Sequence, residues 1–177
     1  VNSFGTAIMA AFAAAVKIDT LAYMPVQEFG NAFSLFISQN HGAKHQDRVR
    51  VGIHTAVQVS ITFCIVISAI IWIFARPLMQ IFVDADETSI IAEGVHYLHI
   101  EGTFYWGIGC LFLLYGYYRA IKRAEMSVVL TVISLGLRVL LAYVLSVVFG
   151  EVGIWVAIPI GWVMADVTGI VYMRRTW

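Results

Sequence analysis

Four ionisable residues lie within or beside long apolar segments of this sequence: Glu28, Glu101, Arg138 and Asp166. An ionisable side chain inside a membrane is costly unless it is paired or hydrated, and such residues often mark ion or substrate pathways. Two kinds of chemistry are therefore open to them. A carboxyl group could bind and release a coupling ion, and a carboxylate with a guanidinium could form an ion pair between helices.

Glu101 is the first candidate for ion coupling. Tyr97 and Tyr105 lie four residues before and after it, and Ile108 lies seven residues after it, which places all four on one helical face. We therefore expect Tyr97 and Tyr105 to line a substrate cavity beside Glu101. The alternative is a carboxylate near the outer end of the helix that is held by a hydroxyl group or by water.

Glu28 is the second candidate, because it borders a polar stripe. The stripe has spacings of seven, four, three and four residues and consists of Thr20, Gln27, Asn31, Ser34 and Ser38. Lipid would penalise such a stripe, so we predict that Gln27 and Asn31 line a wet substrate cavity. Glu28 could relay a proton or meet a cationic substrate there. The alternative is polar packing between neighbouring helices.

Arg138 and Asp166 are predicted to form a structural ion pair. When residues are counted outward from the turn at Gly150 and Glu151, the two lie within about one helical turn of the same depth. Antiparallel neighbouring helices would then bring the two charges together. A mobile link between Arg138 and Glu101 is the alternative.

Two histidines have a spacing that ligands of one metal ion could use. His96 and His99 are three residues apart, but they lie near the expected outer surface with no cysteine beside them. Glu101 is off their shared face, so we predict interfacial histidines and no metal site. The sequence also has no Gly-rich phosphate loop and no nucleophile–base motif, which gives no support for ATP use or hydrolysis.

The elements that must position these residues are membrane-spanning helices. Of the 177 residues, 60% are hydrophobic and 12% are charged, whereas a soluble domain has about 25% charged residues. Eleven basic residues balance eleven acidic ones, so no net charge attracts a nucleic acid. The composition excludes most soluble enzymes and nucleic-acid-binding proteins. It predicts an all-α membrane protein, a polytopic helix bundle surrounded by lipid.

The apolar segments predict five transmembrane helices. Their approximate ranges are 11–38, 51–75, 95–118, 126–149 and 152–173. Because the chain begins with Val1 rather than Met and has an odd number of spans, we expect residues 1–177 to be part of a longer protein.

The loops predict the orientation of these spans. Basic residues concentrate at 41–50, 119–123 and 174–175, whereas the alternate loops at 84–87 and 150–151 are acidic. Basic loops mark the cytoplasmic side of a membrane protein. We therefore expect a multi-pass protein of the cell's inner (plasma) membrane with a cytoplasmic C-terminus.

Several short stretches occur in an order typical of one transporter family. They are QNHGA at 39–43, DRVRVG at 47–52, YYR at 117–119, LRVLLAY at 137–143, GIWVAIPI at 153–160 and, more loosely, VNSFG at 1–5. Through these stretches the sequence resembles the multidrug and toxic compound extrusion (MATE) family.

The resemblance implies two six-helix bundles related by a pseudo-two-fold axis, and export in exchange for H⁺ or Na⁺. The chain would then be a partial second bundle, about helices 8–12 of a twelve-helix transporter, with the missing N-terminal bundle as its partner. The coupling Asp of some members falls at Ile108, so that role does not transfer, and Glu101 would substitute for it. No cofactor other than the coupling ion is expected.

The leading interpretation is a secondary exporter of amphipathic cationic or aromatic small molecules, since aromatic groups and a carboxylate favour such ligands. Three alternatives stay open at this point. The chain could belong to a flippase for lipid-linked sugars, to a membrane enzyme with a metal at His96 and His99, or to a structural membrane subunit.

Overall fold

The computed structural model describes residues 5–176, with the backbone alone at Thr176, and these residues form six α-helices. The motif at 1–5 therefore lies outside the described residues except for Gly5. The helices are α1 (Thr6–Gly42), α2 (Gln46–Met79), α3 (Thr88–Thr103), α4 (Tyr105–Ala120), α5 (Ala124–Phe149) and α6 (Glu151–Thr176). This architecture confirms the all-helical prediction.

Four of these helices, α1, α2, α5 and α6, are long and apolar enough to cross a membrane. The predicted count of five helices is one too low for the described residues, because the chain forms two 16-residue helices, α3 and α4, around the predicted span at 95–118. The backbone leaves helical geometry at Phe104, and its N–H bonds the Glu101 carbonyl at 2.9 Å. The Ser68 hydroxyl donates to the Gly102 carbonyl at 2.6 Å, which ties α2 to the chain beside this break.

The longest helix, α1, packs against α2, α3 and α4. Its closest approach to α4 is at Gly30 and Gly116, where a Cβ atom on Gly116 would lie only 2.6 Å from the Gly30 carbonyl oxygen. Small residues at such crossings let two helix backbones touch, which is the usual basis of helix association in membranes. This crossing fixes how α1 is placed over α4.

Helices α5 and α6 form an antiparallel hairpin. Gly150 turns the chain with φ of 61° and ψ of −140°, a conformation that an L side chain rarely adopts. Further along, a Cβ on Gly161 would lie 2.5 Å from the Ser134 carbonyl oxygen, so the two helices are in backbone contact there. Most of the α5 surface is exposed and apolar, as expected for a face covered by lipid or by further helices.

Candidate ion-coupling site

An acidic cluster forms where α1 meets α3 and the start of α4. It consists of Asp19, Tyr97, Glu101 and Tyr105. The Asp19 side chain is 4% exposed and accepts a hydrogen bond from the Tyr105 hydroxyl. The Tyr97 hydroxyl also interacts with the Asp19 carboxyl group. One buried acid is therefore held in place by residues from both sides of the break at Phe104.

Glu101 is the second acid of the cluster and is fully buried, with 0% exposure. Neither of its carboxyl oxygens has a hydrogen-bond partner among the described residues. It interacts electrostatically with Asp19 and with Arg138, which is half-buried on α5. Glu101 therefore has two free acceptor atoms beside another buried acid and one nearby positive charge.

This arrangement favours the binding of a cation. An isolated carboxylate is costly in a buried environment, and two neighbouring carboxylates disfavour each other's ionisation. A proton bound to one carboxyl group, or a small cation shared between them, would remove that cost. Carboxylate and hydroxyl oxygens are ligands that hard cations prefer. Asp19, Glu101 and the two tyrosines therefore offer oxygen atoms that could bind a proton or a small cation.

Aromatic rings enclose the cluster. The Phe12 ring of α1 packs edge-to-face on Tyr97 at a centroid distance of 5.4 Å, and the Trp155 ring of α6 does so at 5.8 Å. Trp155 is fully buried, and its Nε1–H has no acceptor within the described part of the chain. The apolar walls strengthen every electrostatic interaction inside the cluster, because they exclude water.

The cluster also lies at an interrupted helix. α3 ends at Thr103, two residues after Glu101, and α4 begins at Tyr105, the residue that binds Asp19. Interrupted helices in transporters place helix termini and free backbone groups at ion and substrate sites. The break, which lies inside the span predicted at 95–118, is therefore part of the site.

A polar groove lies on another face of α1. It is a cavity of about 540 Å³ between α1, α4 and α5, and its polar lining residues are Gln27, Asn31, Tyr115, Arg119, Ser127 and Thr131. Asn31 joins two charges there. Its Oδ1 accepts from Arg119 Nη2 at 2.9 Å, and its Nδ2 donates to Glu28 Oε2 at 3.2 Å.

The structure divides the residues predicted from the sequence into these two regions. Tyr97 and Tyr105 lie beside Glu101 as expected, but they are buried at 3% and 0% exposure rather than open to a cavity. Gln27 and Asn31 line the polar groove, as the stripe on α1 predicts. Glu28 is exposed beside Asn31 and lies outside the acidic cluster.

The predicted ion pair between Arg138 and Asp166 is not formed. Both carboxyl oxygens of Asp166 are buried without a hydrogen-bond partner among the described residues. Gly161 contacts Ser134, and Asp166 lies five residues beyond that contact while Arg138 lies four residues beyond it in the opposite direction. Nine residues of helical rise separate their depths by about 13 Å. Counting from the turn missed this shift in register.

The alternative link between Arg138 and Glu101 is electrostatic only, since both Glu101 oxygens lack a hydrogen-bond partner in this part of the structure. The two histidines have separate aromatic partners. His99 stacks on Trp72 at 4.1 Å, and His96 packs edge-to-face on Trp155 at 5.5 Å. Within residues 5–176, no group of three or more His, Cys, Asp or Glu side chains is placed to hold a metal ion.

Asp19 is the site residue that the sequence reading missed. It shares a helical face with Ala11, Ala15, Ala22 and Val26, all of which are buried. An acid in the middle of a face of small apolar residues is the signal that could have identified it, because such a face packs against other helices. The regularly spaced polar stripe lies on another face of α1.

Comparison with known proteins agrees with this architecture. The MatE family model matches residues 1–144. A relative in Bacillus subtilis (strain 168), described as "Probable multidrug resistance protein YpnP", is 29% identical over 175 residues, which are 98% of this chain and 39% of the relative. The chain thus spans about two fifths of that relative's length.

Two solved structures of a multidrug resistance MATE family transporter of the MOP superfamily have the same fold. The outward-facing structure matches with a TM-score of 0.89 and the inward-facing one with 0.86, each at 20% identity over 96% of this chain. The match covers 38% and 41% of those chains. Members of this family are membrane transporters and not enzymes. Because the MatE family model matches residues 1–144, which are most of this chain, the chain belongs to the MatE family.

Proposed function

We propose that this chain is the C-terminal bundle, about helices 8–12, of a secondary exporter that expels amphipathic cationic or aromatic molecules in exchange for H⁺ or Na⁺. The observation that carries the proposal is the fully buried Glu101, whose two unpartnered oxygens lie beside Asp19. The transporter would be in the inner membrane with its C-terminus in the cytoplasm, as the basic loops indicate.

The acidic cluster would couple ion movement to conformation. With a proton or Na⁺ bound, Asp19 and Glu101 can stay buried between α1, α3 and α4. Once the ion leaves, two adjacent carboxylates favour a conformation in which water reaches them. An ion can shift a conformational equilibrium only by its different affinity for the two states, and burial of the acids supplies that difference.

The likeness to both inward- and outward-facing transporter structures supports movement of the bundle as a unit. Its TM-scores of 0.86 and 0.89 to the two states are nearly equal, so little rearrangement inside the bundle is needed to match either one. Alternating access would then come from rocking of this bundle against an N-terminal bundle. The exposed apolar face of α5 provides surface for that partner or for lipid.

The polar groove would receive the substrate. Phe112 and Tyr115 offer aromatic surface, and Gln27 and Asn31 offer hydrogen bonds. Glu28 at its edge could attract a positively charged group, since carboxylates and aromatic faces both favour cations. The relative's description as a multidrug resistance protein supports a substrate of this class.

The test is export by the complete transporter, meaning this chain together with its N-terminal bundle, in proteoliposomes with an imposed H⁺ or Na⁺ gradient. We expect Glu101→Gln and Asp19→Asn each to lower gradient-driven export by about 10- to 100-fold, within the usual range of coupling energies. Glu151→Gln is the matched control, because Glu151 is a partly exposed acid at the α5–α6 turn.

Substrate binding to the purified protein separates coupling from folding. Both cluster variants should still bind substrate, while binding should no longer release the ion held by the acidic cluster. If export by both variants equals that of the unaltered transporter under either gradient, the acidic cluster is not the coupling site.

A further inference from the structure

A third buried acid lies in α6, apart from the acidic cluster. Asp166 is 4% exposed, and neither of its carboxyl oxygens has a hydrogen-bond partner among residues 5–176. Its side chain points toward α4, because Oδ2 lies 3.8 Å from the position of a Cβ on Gly107. A larger residue in place of Gly107 would fill the space that the carboxyl group faces.

The groups around Asp166 offer it no counter-charge. From α4, Cys110 and Tyr115 are the titratable residues that interact with it, and the Tyr115 hydroxyl already contacts Thr131 at 3.3 Å. From α5, the facing residues near this depth are Leu130 and Ser134.

More distant charges do not reach it either. Arg138 is offset by about 13 Å along the hairpin, and His96 on α3 packs against Trp155, eleven residues before Asp166 on α6. No basic side chain of the described residues interacts with the Asp166 carboxyl group.

We infer that Asp166 is a second proton-binding site, which carries its proton while α6 is packed on α4 and exchanges it with water when the two helices separate. In the exchange the carboxyl O–H bond breaks, its electron pair stays on the oxygen, and the proton passes to water. A buried carboxyl group without a partner is far less costly when protonated than when charged.

The geometry favours a proton over Na⁺. Asp166 supplies two oxygens, and the one further oxygen shown to interact with it is the Tyr115 hydroxyl, which already contacts Thr131. Hard cations in proteins take several oxygen ligands, so this site lacks the ligands that the acidic cluster has. A proton needs only one oxygen.

The segment that carries Asp166 is also suited to movement. Pro159 lies seven residues before it inside α6 and has no N–H to bond the carbonyl one turn earlier. Proline is a common point of bending in a long helix. Bending of α6 there would move Asp166 away from Gly107 and expose its carboxyl group to water.

The link to export rests on the proposed function. If Asp166 exchanges its proton once in each cycle, the transporter moves one proton through α4 and α6 in addition to the ion in the acidic cluster. A transporter that uses Na⁺ at Glu101 would then still respond to a proton gradient.

Infrared difference spectra of the complete transporter in lipid, recorded between acidic and alkaline buffer, test the proton site directly. A protonated carboxyl group has a C=O stretching band that a carboxylate lacks. We expect one such band to disappear in Asp166→Asn and to shift in Asp166→Glu, which keeps a carboxyl group if the amide variant fails to fold. Glu151→Gln, which removes an acid of the same helix at the turn, should retain the band.

The Glu101→Gln variant distinguishes this inference from the proposed coupling site. It should keep the Asp166 band even if export is unchanged, so failure of the coupling proposal would not remove the proton site. Proton release on substrate binding should fall by about one proton per transporter in Asp166→Asn. The inference is overturned if Asp166→Asn and Asp166→Glu both leave the carboxyl bands of the unaltered protein in place.

Discussion

The acidic cluster and the polar groove lie on different faces of one helix and differ in how their polar groups are satisfied. Asp19 and Gln27 are eight residues apart on α1, about 12 Å of helical rise. In the groove, exposed Asn31 bonds both Glu28 and Arg119. In the cluster, Glu101 is fully buried and bonds no described residue.

The difference shows in which region a bound ion would be most stabilising. Both charges beside the groove already have a hydrogen-bond partner in Asn31, and exposed charges are hydrated, so a bound ion would replace existing interactions of similar strength. In the cluster an ion would satisfy atoms that nothing else satisfies, in surroundings where electrostatic interactions are strong. The exposed polar residues are therefore better suited to substrate contact, and the buried acids to ion binding.

The crossing of α1 over α4 supports both regions, and changing it should have the largest effect. Gly116→Ala would place a Cβ 2.6 Å from the Gly30 carbonyl oxygen, so we expect the free energy of unfolding to fall by about 2–3 kcal/mol. Gly136→Ala is the matched control, since a Cβ there meets nothing within 4 Å. It should stabilise its helix by about 0.5–1 kcal/mol.

Denaturant unfolding of the complete transporter in detergent, followed by tryptophan fluorescence, measures both changes. Equal effects of the two alanines would mean that the α1–α4 contact is not as close as the structure has it.

The contrast in exposure should appear in chemical labelling. In a background with Cys64 and Cys110 replaced by Ala, we expect Asn31→Cys to react with a membrane-impermeant maleimide about 100-fold faster than Glu101→Cys. The reason is that a fully buried position must open before it reacts, and opening costs free energy. Asn31 is exposed and lines the groove, whereas Glu101 is 0% exposed. Similar maleimide reaction rates at the two positions would mean that water reaches the acidic cluster, and that the two regions do not differ in exposure.

Hydrogen bonds in the two regions should differ in their contribution to stability. Tyr105→Phe removes one of the two hydroxyl groups that interact with the buried Asp19 carboxyl group, which should lower the free energy of unfolding by about 1–3 kcal/mol. Asn31→Ala removes an exposed bridge between Glu28 and Arg119, and its cost should be below about 1 kcal/mol. The same unfolding measurement compares the two variants. A larger loss of unfolding free energy in Asn31→Ala would mean that the hydrogen bonds of the groove, not those of the cluster, are the stronger ones.

The sequence predicted the parts of this fold that depend on local apolar patterns. Four spans and their order follow from long apolar runs, and Gln27 and Asn31 of the predicted stripe line the polar groove. The break at Phe104 was not predicted, because it involves the contact of Ser68 with Gly102 from another helix. Such a contact has no periodic signal in either segment.

Part of the candidate site was predictable for the same reason. The four-residue spacing of Tyr97, Glu101 and Tyr105 brought these residues to one place, even though the helix is interrupted between them. Asp19 required knowledge of which face of α1 is buried. The pairing of Arg138 with Asp166 failed because depth was counted from the turn, whereas the contact of Gly161 with Ser134 sets the register.

The register of α5 and α6 leads to the smallest expected effect, a coupling energy near zero between Arg138 and Asp166. In a double-mutant cycle with Arg138→Gln and Asp166→Asn, the two changes in unfolding free energy should add to within about 0.5 kcal/mol, as for distant sites. Arg138→Gln with Glu101→Gln should instead show a coupling of about 0.5–3 kcal/mol, because Arg138 interacts electrostatically with Glu101. A strong coupling to Asp166 with none to Glu101 would move Arg138 away from the acidic cluster. It would also supply the counter-charge that Asp166 lacks here, so this one cycle tests the isolation of both buried acids.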